Sequence, residues 1–311
     1  KETENGKNHM DVFEFAKKVE TEEKALEYAF ELGLVRKRAP NCPLCNNQMK
    51  WQRGAVRRGI NGNWRCCNKI HKKTSLCLFN GSVLKRLQVP ISSFLKSIYC
   101  IAQQMTIDEA LANTKLSRMT YVKIHNMIRG FMQKYNAIHH QRIGGAGTVV
   151  EIDECHLHSR KYGVGRLEAS ELWWVFGGIC RQTHKMFAMV VENRKTDTLS
   201  KAVFENVESG SSIFSDCWRA YNKLTQMGLN YDHKTVNHSQ NFVNPNDPDV
   251  NTNMVERSWR SLRENVPLQV GLDSVESYID KFLFFHNMNC KGTKARFDAI
   301  IMLLNDFFPV N

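Results

Sequence analysis

The stretch from Thr148 to Glu154, which reads TVVEIDE, places acidic residues inside a β-branched, apolar run. Such a run predicts a strand, and the two-residue period of a strand puts Glu151 and Asp153 on one face and Val150 and Ile152 on the other. A single carboxylate in a strand is most often an edge or strand-end residue that faces water. A functional role for Asp153 therefore requires further carboxylates, and the fold must bring them close to it.

Two further acidic residues occur in similar settings. Residues 211–216, which read SSIFSD, form a second short apolar strand that ends on Asp216 and continues into a helix-like segment. Residues 252–259, which read TNMVERSW, open a helix with Glu256 one turn in. The three acids have 62 and 39 residues between them, and they resemble the carboxylates with which RNase H-like nucleases hold two divalent metal ions.

The predicted cofactor is a pair of Mg²⁺ or Mn²⁺ ions. Mg²⁺ prefers hard oxygen ligands and keeps positions open for phosphate and water, so three carboxylates suit it better than a cluster of His and Cys. Two such ions about 3.5–4 Å apart can activate an attacking oxygen and stabilise a leaving one in an in-line phosphoryl displacement.

The charge of the chain points to a polyanionic partner. The net charge is +12, and the segment between Leu32 and Ile107 contains fourteen Lys or Arg and no Asp or Glu. A lysine-rich surface that only faces solvent would normally contain Asp and Glu residues among its Lys and Arg residues. A basic segment of this length instead favours nucleic acid, and we expect double-stranded DNA.

A Cys-x2-Cys knuckle at residues 42–45 is followed about twenty residues later by a second cysteine-rich stretch, which predicts a structural zinc ribbon. The expected ligands are Cys42, Cys45, Cys66 and His71, with Cys67 or Cys77 as substitutes. The alternative is a set of ordinary buried thiols, but the spacing and the basic loop favour the ribbon. Candidate DNA contacts in this region are Arg53, Arg57, Arg58, Arg65, Lys72 and Lys73.

Helical periodicity begins after Val89 and predicts helices over residues 91–104, 106–113 and 117–135. The second opens with a Thr-Ile-Asp-Glu capping box, and a short turn joins it to the third, as in a helix-turn-helix. The third helix would read the groove. Its candidate DNA contacts are Arg118, Thr120, Tyr121 and Lys123. Three-helix packing without a DNA role is the alternative, and the adjacent basic ribbon favours DNA.

The order of elements gives the domain organisation. A glycine-rich linker at residues 141–147 precedes three predicted antiparallel strands, a helix, and a strand that a crossover helix makes parallel to the first. The expected fold class is α/β, an RNase H-like catalytic domain preceded by a zinc ribbon and a helix-turn-helix. The predicted domains are an N-terminal helical segment (1–40), the ribbon (41–88), the helix-turn-helix (89–140) and the catalytic domain with C-terminal helices (141–311). No apolar run of eighteen residues and no secretory signal is visible, so no membrane partner is expected.

Residues 148–265 resemble the catalytic domain of Merlin-superfamily DNA transposases and of related bacterial insertion-sequence transposases. The matching segments are VEIDE at 150–154, WVFGG at 174–178, SDCWRAY at 215–221, VNHS at 236–239 and TNMVERSW at 252–259. The resemblance implies that Asp153, Asp216 and Glu256 form the catalytic acidic triad. It also implies that His238 and Asn253 accompany the triad, in contact with phosphate or metal, although a lone histidine such as His238 is more often a hydrogen-bonded core residue.

The expected function is that of a cut-and-paste transposase. Such an enzyme binds terminal inverted repeats, mostly through phosphates, cleaves the transposon ends and joins the freed 3′-hydroxyl to target DNA. Two ends must be held together, so we expect at least a homodimer, which would work in the nucleus if the source is eukaryotic. The alternatives are a domesticated sequence-specific DNA-binding protein that has lost catalysis, and a structure-specific nuclease that cleaves without joining.

Overall fold

The computed structural model describes residues 10–57, 60–157, 174–216, 221, 224, 228–236, 249–267 and 271–310. The chain is a mixed α/β protein of two compact units, one formed by Lys1–Phe131 with Cys290–Asn311 and the other by Met132–Asn289. The helices are α1 (Val12–Lys18), α2 (Glu22–Glu31), α3 (Ile91–Ala102), α4 (Ile107–Thr114), α5 (Arg118–Ile138), α6 (Thr196–Asn206), α7 (Asn253–Asn265), α8 (Leu272–Asn287) and α9 (Gly292–Phe307). The strands are β1 (Lys50–Arg57), β2 (Ile60–Arg65), β3 (Ser75–Leu76), β4 (Ile143–Gly144), β5 (Val149–His156), β6 (Trp174–Cys180), β7 (Met186–Val191), β8 (Val207–Glu208), β9 (Ser212–Asp216) and β10 (Asp232–Val236).

Aromatic packing joins the two ends of the chain in the first unit. The ring of Phe15 on α1 stacks on Tyr99 of α3 with 4.6 Å between centroids, and it meets Phe297 of α9 edge-on at 5.8 Å. The last helix therefore packs with the N-terminal unit, whereas the sequence analysis assigned it to a domain spanning 141–311. No local pattern marks this contact, because its partners lie almost three hundred residues apart.

The ribbon region is a three-stranded antiparallel sheet in the order β1-β2-β3. Trp51 and Trp64 face each other across the hairpin with ring centroids 5.1 Å apart. Such cross-strand aromatic pairs stabilise small sheets by a few tenths of a kcal/mol to about 1 kcal/mol.

The three predicted helices before the linker are confirmed as α3, α4 and α5. Thr106 and Glu109 form the expected capping box at the start of α4. Lys115, at φ 56° and ψ 25°, turns the chain through the left-handed region after α4. The hydroxyl of Ser117 then accepts the N–H of Thr120 at 3.3 Å and caps α5. Tyr121 packs with Cys100 and Ala110 in the core of these helices.

A five-stranded sheet in the order β10-β9-β5-β6-β7 forms the centre of the second unit. Strands β5, β6 and β7 are antiparallel neighbours, as the sequence predicts. Helix α6 crosses from β7 to β9, which pairs in parallel with β5, and β10 in turn pairs in parallel with β9. The predicted parallel pairing of the fourth strand with the first is thus confirmed.

Each face of this sheet has its own core. Val150, Ile152 and Phe176 pack on one face with Leu199 and Val203 of α6. On the other face, Cys155, Val175 and Ile179 pack with α7 and α8, which contribute Val255, Trp259 and Phe282 among others. Functional groups on β5 are therefore buried under one of two different layers, depending on which way they point.

Among the helices in the described part of the chain, none combines the length and the apolar character that a bilayer span requires.

Candidate functional site

Strand β5 directs Glu151 and Asp153 toward α7, as the two-residue period predicts. The carboxylate of Glu151 accepts the backbone N–H groups of Met254 and Val255 at 2.8 and 3.0 Å. The indole N–H of Trp259 donates to Oδ2 of Asp153 at 3.0 Å. Both acids thus face the helix that carries Glu256.

Asp153 and Asp216 occupy matching positions on neighbouring strands. The parallel ladder between β5 and β9 pairs Val149 with Ser212 and Glu151 with Phe214. Continuing this register by two residues places Asp153 level with Asp216, and adjacent strands are about 4.8 Å apart. The negative charge of Asp216 contributes to raising the pKa of Asp153, which agrees with their closeness.

Glu256 lies in the first turn of α7, three residues before Trp259. Residues three apart on a helix are neighbours, with about 5–6 Å between their Cβ atoms. The bond from Trp259 to Asp153 therefore brings this part of α7 close to the two aspartates. The hydroxyl of Thr252 donates to Oε1 of Glu256 at 2.8 Å and orients its exposed carboxylate.

A close approach between helix and sheet makes this arrangement possible. A Cβ on Gly177 of β6 would lie 2.7 Å from the ring of Trp259 and 2.4 Å from the carbonyl oxygen of Phe187. Real Cβ atoms do not approach other atoms so closely, so a larger residue would push the indole away. The glycine therefore lets Trp259 lie against the sheet and reach Asp153.

The pKa of Asp153 is raised from 3.8 to about 7. Burial is the main cause, followed by the negative charge of Glu154 and, more weakly, of Asp216, while the N–H of Trp259 acts in the opposite direction. A partly buried carboxylate among other acids fits a cation, because a bound divalent ion would remove this electrostatic cost. The carboxylates present are thus suited to Mg²⁺ or Mn²⁺ in charge and in ligand type.

Glu154 lies on the opposite face of β5, under the other core. Its buried carboxylate pairs with Arg194 at 3.7 Å. Arg194 also lies over the ring of Trp174, with 4.2 Å between its Cζ atom and the ring centroid. Burial, followed by the negative charge of Glu154, raises the pKa of Tyr221 well above its ordinary value. Glu154, the third carboxylate of the VEIDE segment, is therefore held apart from α7.

One compact set of soft metal ligands is present in the first unit. The ligand atoms of Cys42, Cys45, Cys66 and His71 all lie within 4.8 Å of one another, and the sulfur atoms of Cys45 and Cys66 are 3.5 Å apart. The Nδ1 atom of His71 is buried without a hydrogen-bond partner. A histidine grouped with three thiols, with a buried ring nitrogen that has no hydrogen-bond partner, fits a tetrahedral zinc site. These are the four ligands that the sequence predicts, and the exposed Cys67 is outside the set.

The three acids of the predicted triad are less compact than this cluster. In the described part of the chain, only the cysteine and histidine group brings three or more potential ligand atoms within 4.8 Å of one another. Three carboxylates that share two ions about 3.5–4 Å apart do not need to meet that criterion, because each ion contacts only some of them.

The predicted DNA contacts occupy different environments. Arg53, Arg65, Lys72 and Lys73 are exposed around the ribbon, and Lys123 is exposed on α5. Arg118 is exposed and pairs with Asp108 at 3.0 Å, while the hydroxyl of Thr120 hydrogen-bonds that of Ser117 at 2.8 Å. Arg58, the side chain of Arg57, and His238 lie outside the described residues.

Tyr121 is a correction to the predicted DNA contacts. Its side chain is only 1% exposed and packs against Cys100 and Ala110, so it cannot reach a DNA groove. Tyr121, Ile124 and Ile128 are buried at helical spacing along α5. That periodicity was the available signal that Tyr121 belongs to the core.

Sequence reasoning missed the residues that hold α7. These residues are Glu151, Arg181 and Trp259, of which the sequence pattern assigns only Glu151, and that only to a strand face. Each acts through a partner distant in sequence, so no local pattern reveals its role. Asn253, which was expected beside the triad, is the first residue of α7, and its N–H donates to the side chain of Asn251 at 3.4 Å.

Comparison with known proteins relates this unit to DNA-rearranging enzymes. Residues 144–287 match the family model of the ISXO2-like transposase domain, a family of DDE transposases. That part of the chain, which includes Asp153, Asp216 and Glu256, is therefore related to DDE transposases, which use divalent metal ions. No curated protein matches the chain.

A solved structure is similar over part of the chain. It is the cryo-EM structure of the simian T-cell lymphotropic virus intasome in complex with PP2A regulatory subunit B56 gamma. The match has a TM-score of 0.28 and 14% sequence identity, and it covers 46% of this chain and 50% of that chain. The present chain thus spans about half the length of the protein it matches there.

Proposed function

We propose that the chain is a cut-and-paste DNA transposase of the Merlin type, in which Asp153, Asp216 and Glu256 form the catalytic triad. The observation that carries this proposal is the parallel pairing of β5 with β9, whose register, continued by two residues beyond Glu151 and Phe214, brings Asp153 level with Asp216. The helix of Glu256 binds the same strand through Trp259. All three residues lie within the segment that matches the transposase family.

The strand order supports an RNase H-like catalytic unit. Three antiparallel strands are followed by a crossover helix and by strands parallel to the first. The two aspartates lie on the central neighbours β5 and β9, and the glutamate lies on a later helix that packs on the same face. This is the arrangement expected of a nuclease fold that gathers its acids at one end of a sheet.

The triad would hold two Mg²⁺ or Mn²⁺ ions. When bound, such ions lower the cost of activating an attacking oxygen and of releasing the leaving oxygen. Trp259 fixes the orientation of the Asp153 carboxylate, and Thr252 fixes that of Glu256. We assign His238 and Asn253 to the same site, in contact with phosphate or metal, on the basis of the family resemblance.

The first unit would bind the transposon ends. Cys42, Cys45, Cys66 and His71 would hold a structural Zn²⁺, since a ribbon of this size folds largely through its metal. The exposed lysine and arginine side chains around the ribbon would contact phosphates, and the start of α5 would enter the major groove. Joining two ends in one reaction requires at least a dimer, and a eukaryotic source would place the enzyme in the nucleus.

A strand cleavage and joining assay tests this proposal. The substrate is a labelled duplex that carries a candidate terminal repeat, incubated with target DNA in Mg²⁺ and in Mn²⁺. We expect cleaved and joined products from the wild-type protein and none from Asp216→Asn or Glu256→Gln, because each substitution removes a metal-binding carboxylate.

Other outcomes distinguish the alternatives. Cleaved products without joined ones would indicate a structure-specific nuclease. Binding of DNA without products from the wild-type protein in either metal would contradict the transposase and indicate a DNA-binding protein. Products that persist in Asp216→Asn would contradict the assigned triad.

A further inference from the structure

A buried carboxylate binds the beginning of α7. The side chain of Glu151 is 1% exposed, and its Oε2 atom accepts the N–H groups of Met254 and Val255 at 2.8 and 3.0 Å. These are two of the first backbone donors of the helix, which have no partner within the helix itself. The negative charge also lies at the positive end of the helix dipole.

Arg181 extends this contact to the segment that leads into α7. Its Nε donates to Oε1 of Glu151 at 2.6 Å. Its Nη1 donates to the carbonyl oxygen of Asp249 at 2.8 Å, and its Nη2 donates to that of Asn251 at 2.9 Å. One guanidinium therefore links strand β5 to the backbone just before the helix.

The N-cap residue of α7 does not cap the helix with its side chain. Thr252 is the N-cap residue, but its side chain makes no capping bond to the helix. Its hydroxyl donates to Glu256 instead. Glu151 thus takes the place that a Ser or Thr side chain normally has at a helix N-terminus, which leaves Thr252 to orient Glu256.

Two anchors hold α7 on β5, one on each side of Glu256. Glu151 binds the helix at Met254 and Val255, and Asp153 binds it at Trp259. Two residues of a strand rise about 6.7 Å, and four residues of a helix rise about 6 Å. The matched spacing lets both anchors form at once, which fixes how far along the strand the helix lies.

We propose that Glu151 and Arg181 are positioning residues that set the place of Glu256 relative to Asp153 and Asp216. This inference rests on the proposed function, since it assigns a role to these residues in building the metal site of the triad. Neither residue touches the metal or the DNA in this assignment. Both act by fixing the start of α7, so that the glutamate one turn in meets the two aspartates.

A double-mutant cycle on metal affinity tests this inference. The affinity of the DNA-free protein for Mn²⁺ is measured by electron paramagnetic resonance for wild type, Glu151→Gln, Glu256→Gln and the double variant. Loss of a residue that orients a metal ligand typically weakens metal affinity about 10–100-fold. We expect a loss in that range from Glu151→Gln, and little further loss when it is added to Glu256→Gln.

The first unit offers a matched control. Glu22 caps α3 in the same way, because its carboxylate accepts the N–H groups of Ile91 and Ser92 at 2.8 and 3.1 Å. Glu22→Gln thus removes the same kind of helix cap far from the triad in sequence. We expect it to lower the melting temperature while leaving the Mn²⁺ affinity of the folded protein unchanged.

Arg181→Lys provides a second variant if Glu151→Gln does not fold. A lysine can keep the charge beside Glu151 but cannot span both carbonyl oxygens, because it lacks the planar fork of the guanidinium. We expect weaker Mn²⁺ binding and cleavage activity that partly recovers at high Mn²⁺ concentration. A folded Arg181→Lys protein with wild-type affinity would overturn the inference.

The cycle also separates this inference from the proposed function. Additive losses in the double variant, or a Glu151→Gln protein with wild-type affinity, would overturn the positioning role while wild-type cleavage stands. Failure of the proposed function would appear differently, as Mn²⁺ binding that Asp153→Asn does not change and as a wild-type protein without DNA products.

Discussion

Asp153 is held in the folded protein at a free-energy cost when it is ionised. Burial raises its pKa to about 7, and the neighbouring charge of Glu154 adds to the effect. A carboxyl group whose pKa is higher in the folded than in the unfolded protein binds more protons when folded. The stability of the metal-free protein therefore falls as the pH rises from about 4 to about 7.

Replacing Asp153 with Asn removes this pH-dependent cost. Below about pH 4 both residues are neutral, so the metal-free proteins differ little through this term. Above pH 7 the variant should melt higher than the wild type, by roughly 5 °C for a chain of this size. Differential scanning fluorimetry from pH 5 to pH 8.5, in buffer without Mg²⁺, Mn²⁺ or a chelator so that the structural zinc stays bound, measures the change.

Bound metal should reverse the order of the two melting temperatures. Saturating Mn²⁺ at pH 8 stabilises the protein that binds it, so the wild type should gain more than Asp153→Asn. A melting-temperature difference that stays constant with pH would contradict the raised pKa of Asp153 in the folded protein.

At the scale of elements, the zinc content of a ribbon variant tests whether the cysteine cluster holds a metal. Cys66→Ser should remove the zinc and unfold the region around β1, β2 and β3, because its thiolate is one of the four proposed ligands. Zinc content after dialysis, measured by mass spectrometry of the metal, should fall from one ion per chain to near zero.

The neighbouring cysteine supplies the control for this prediction. Cys67 is exposed and lies outside the ligand cluster, so Cys67→Ser should retain one zinc ion per chain. Equal zinc loss from both variants would contradict the ligand set, and zinc retention in Cys66→Ser would contradict it as well.

The elements also differ in how well the sequence predicts them. The strand order, the capping box at Thr106 and the four soft ligands were all predictable, because each depends on local periodicity or on short ligand spacing. The fixation of α7 was not, since Glu151 meets its helix about one hundred residues later and Arg181 joins through a third segment. Tyr121 is an intermediate case: its burial follows from helix periodicity, but its position near the start of the third helix suggested a groove contact.

At the scale of the whole molecule, charge and chemistry occupy different parts of the chain. The long segment without acids falls in the first unit, whereas the proposed triad falls in the second. Such a division agrees with one unit that holds DNA through its phosphates and another that performs the reaction.

DNA binding should therefore depend steeply on salt. Binding of a terminal-repeat duplex releases counterions, so the logarithm of affinity falls with the logarithm of salt concentration by about 0.9 for each phosphate contact. Replacing Arg53, Arg65, Lys72 and Lys73 with Ala should reduce that slope by up to about four. Fluorescence anisotropy from 50 to 300 mM NaCl measures it.

A matched variant on the second unit checks that this effect is local. Lys201 is exposed on α6 and pairs only loosely with Glu205 at 3.8 Å. Lys201→Ala should leave the salt slope unchanged. An unchanged slope after the four ribbon substitutions would contradict the ribbon as a phosphate-binding surface.

The most direct measurement of the central claim is anomalous diffraction from crystals of the protein with Mn²⁺ and a cleaved transposon end. The account predicts two manganese peaks about 3.5–4 Å apart, bound by the carboxylates of Asp153, Asp216 and Glu256. Manganese peaks elsewhere, or none beside these three residues at saturating Mn²⁺, would contradict the assignment of the triad.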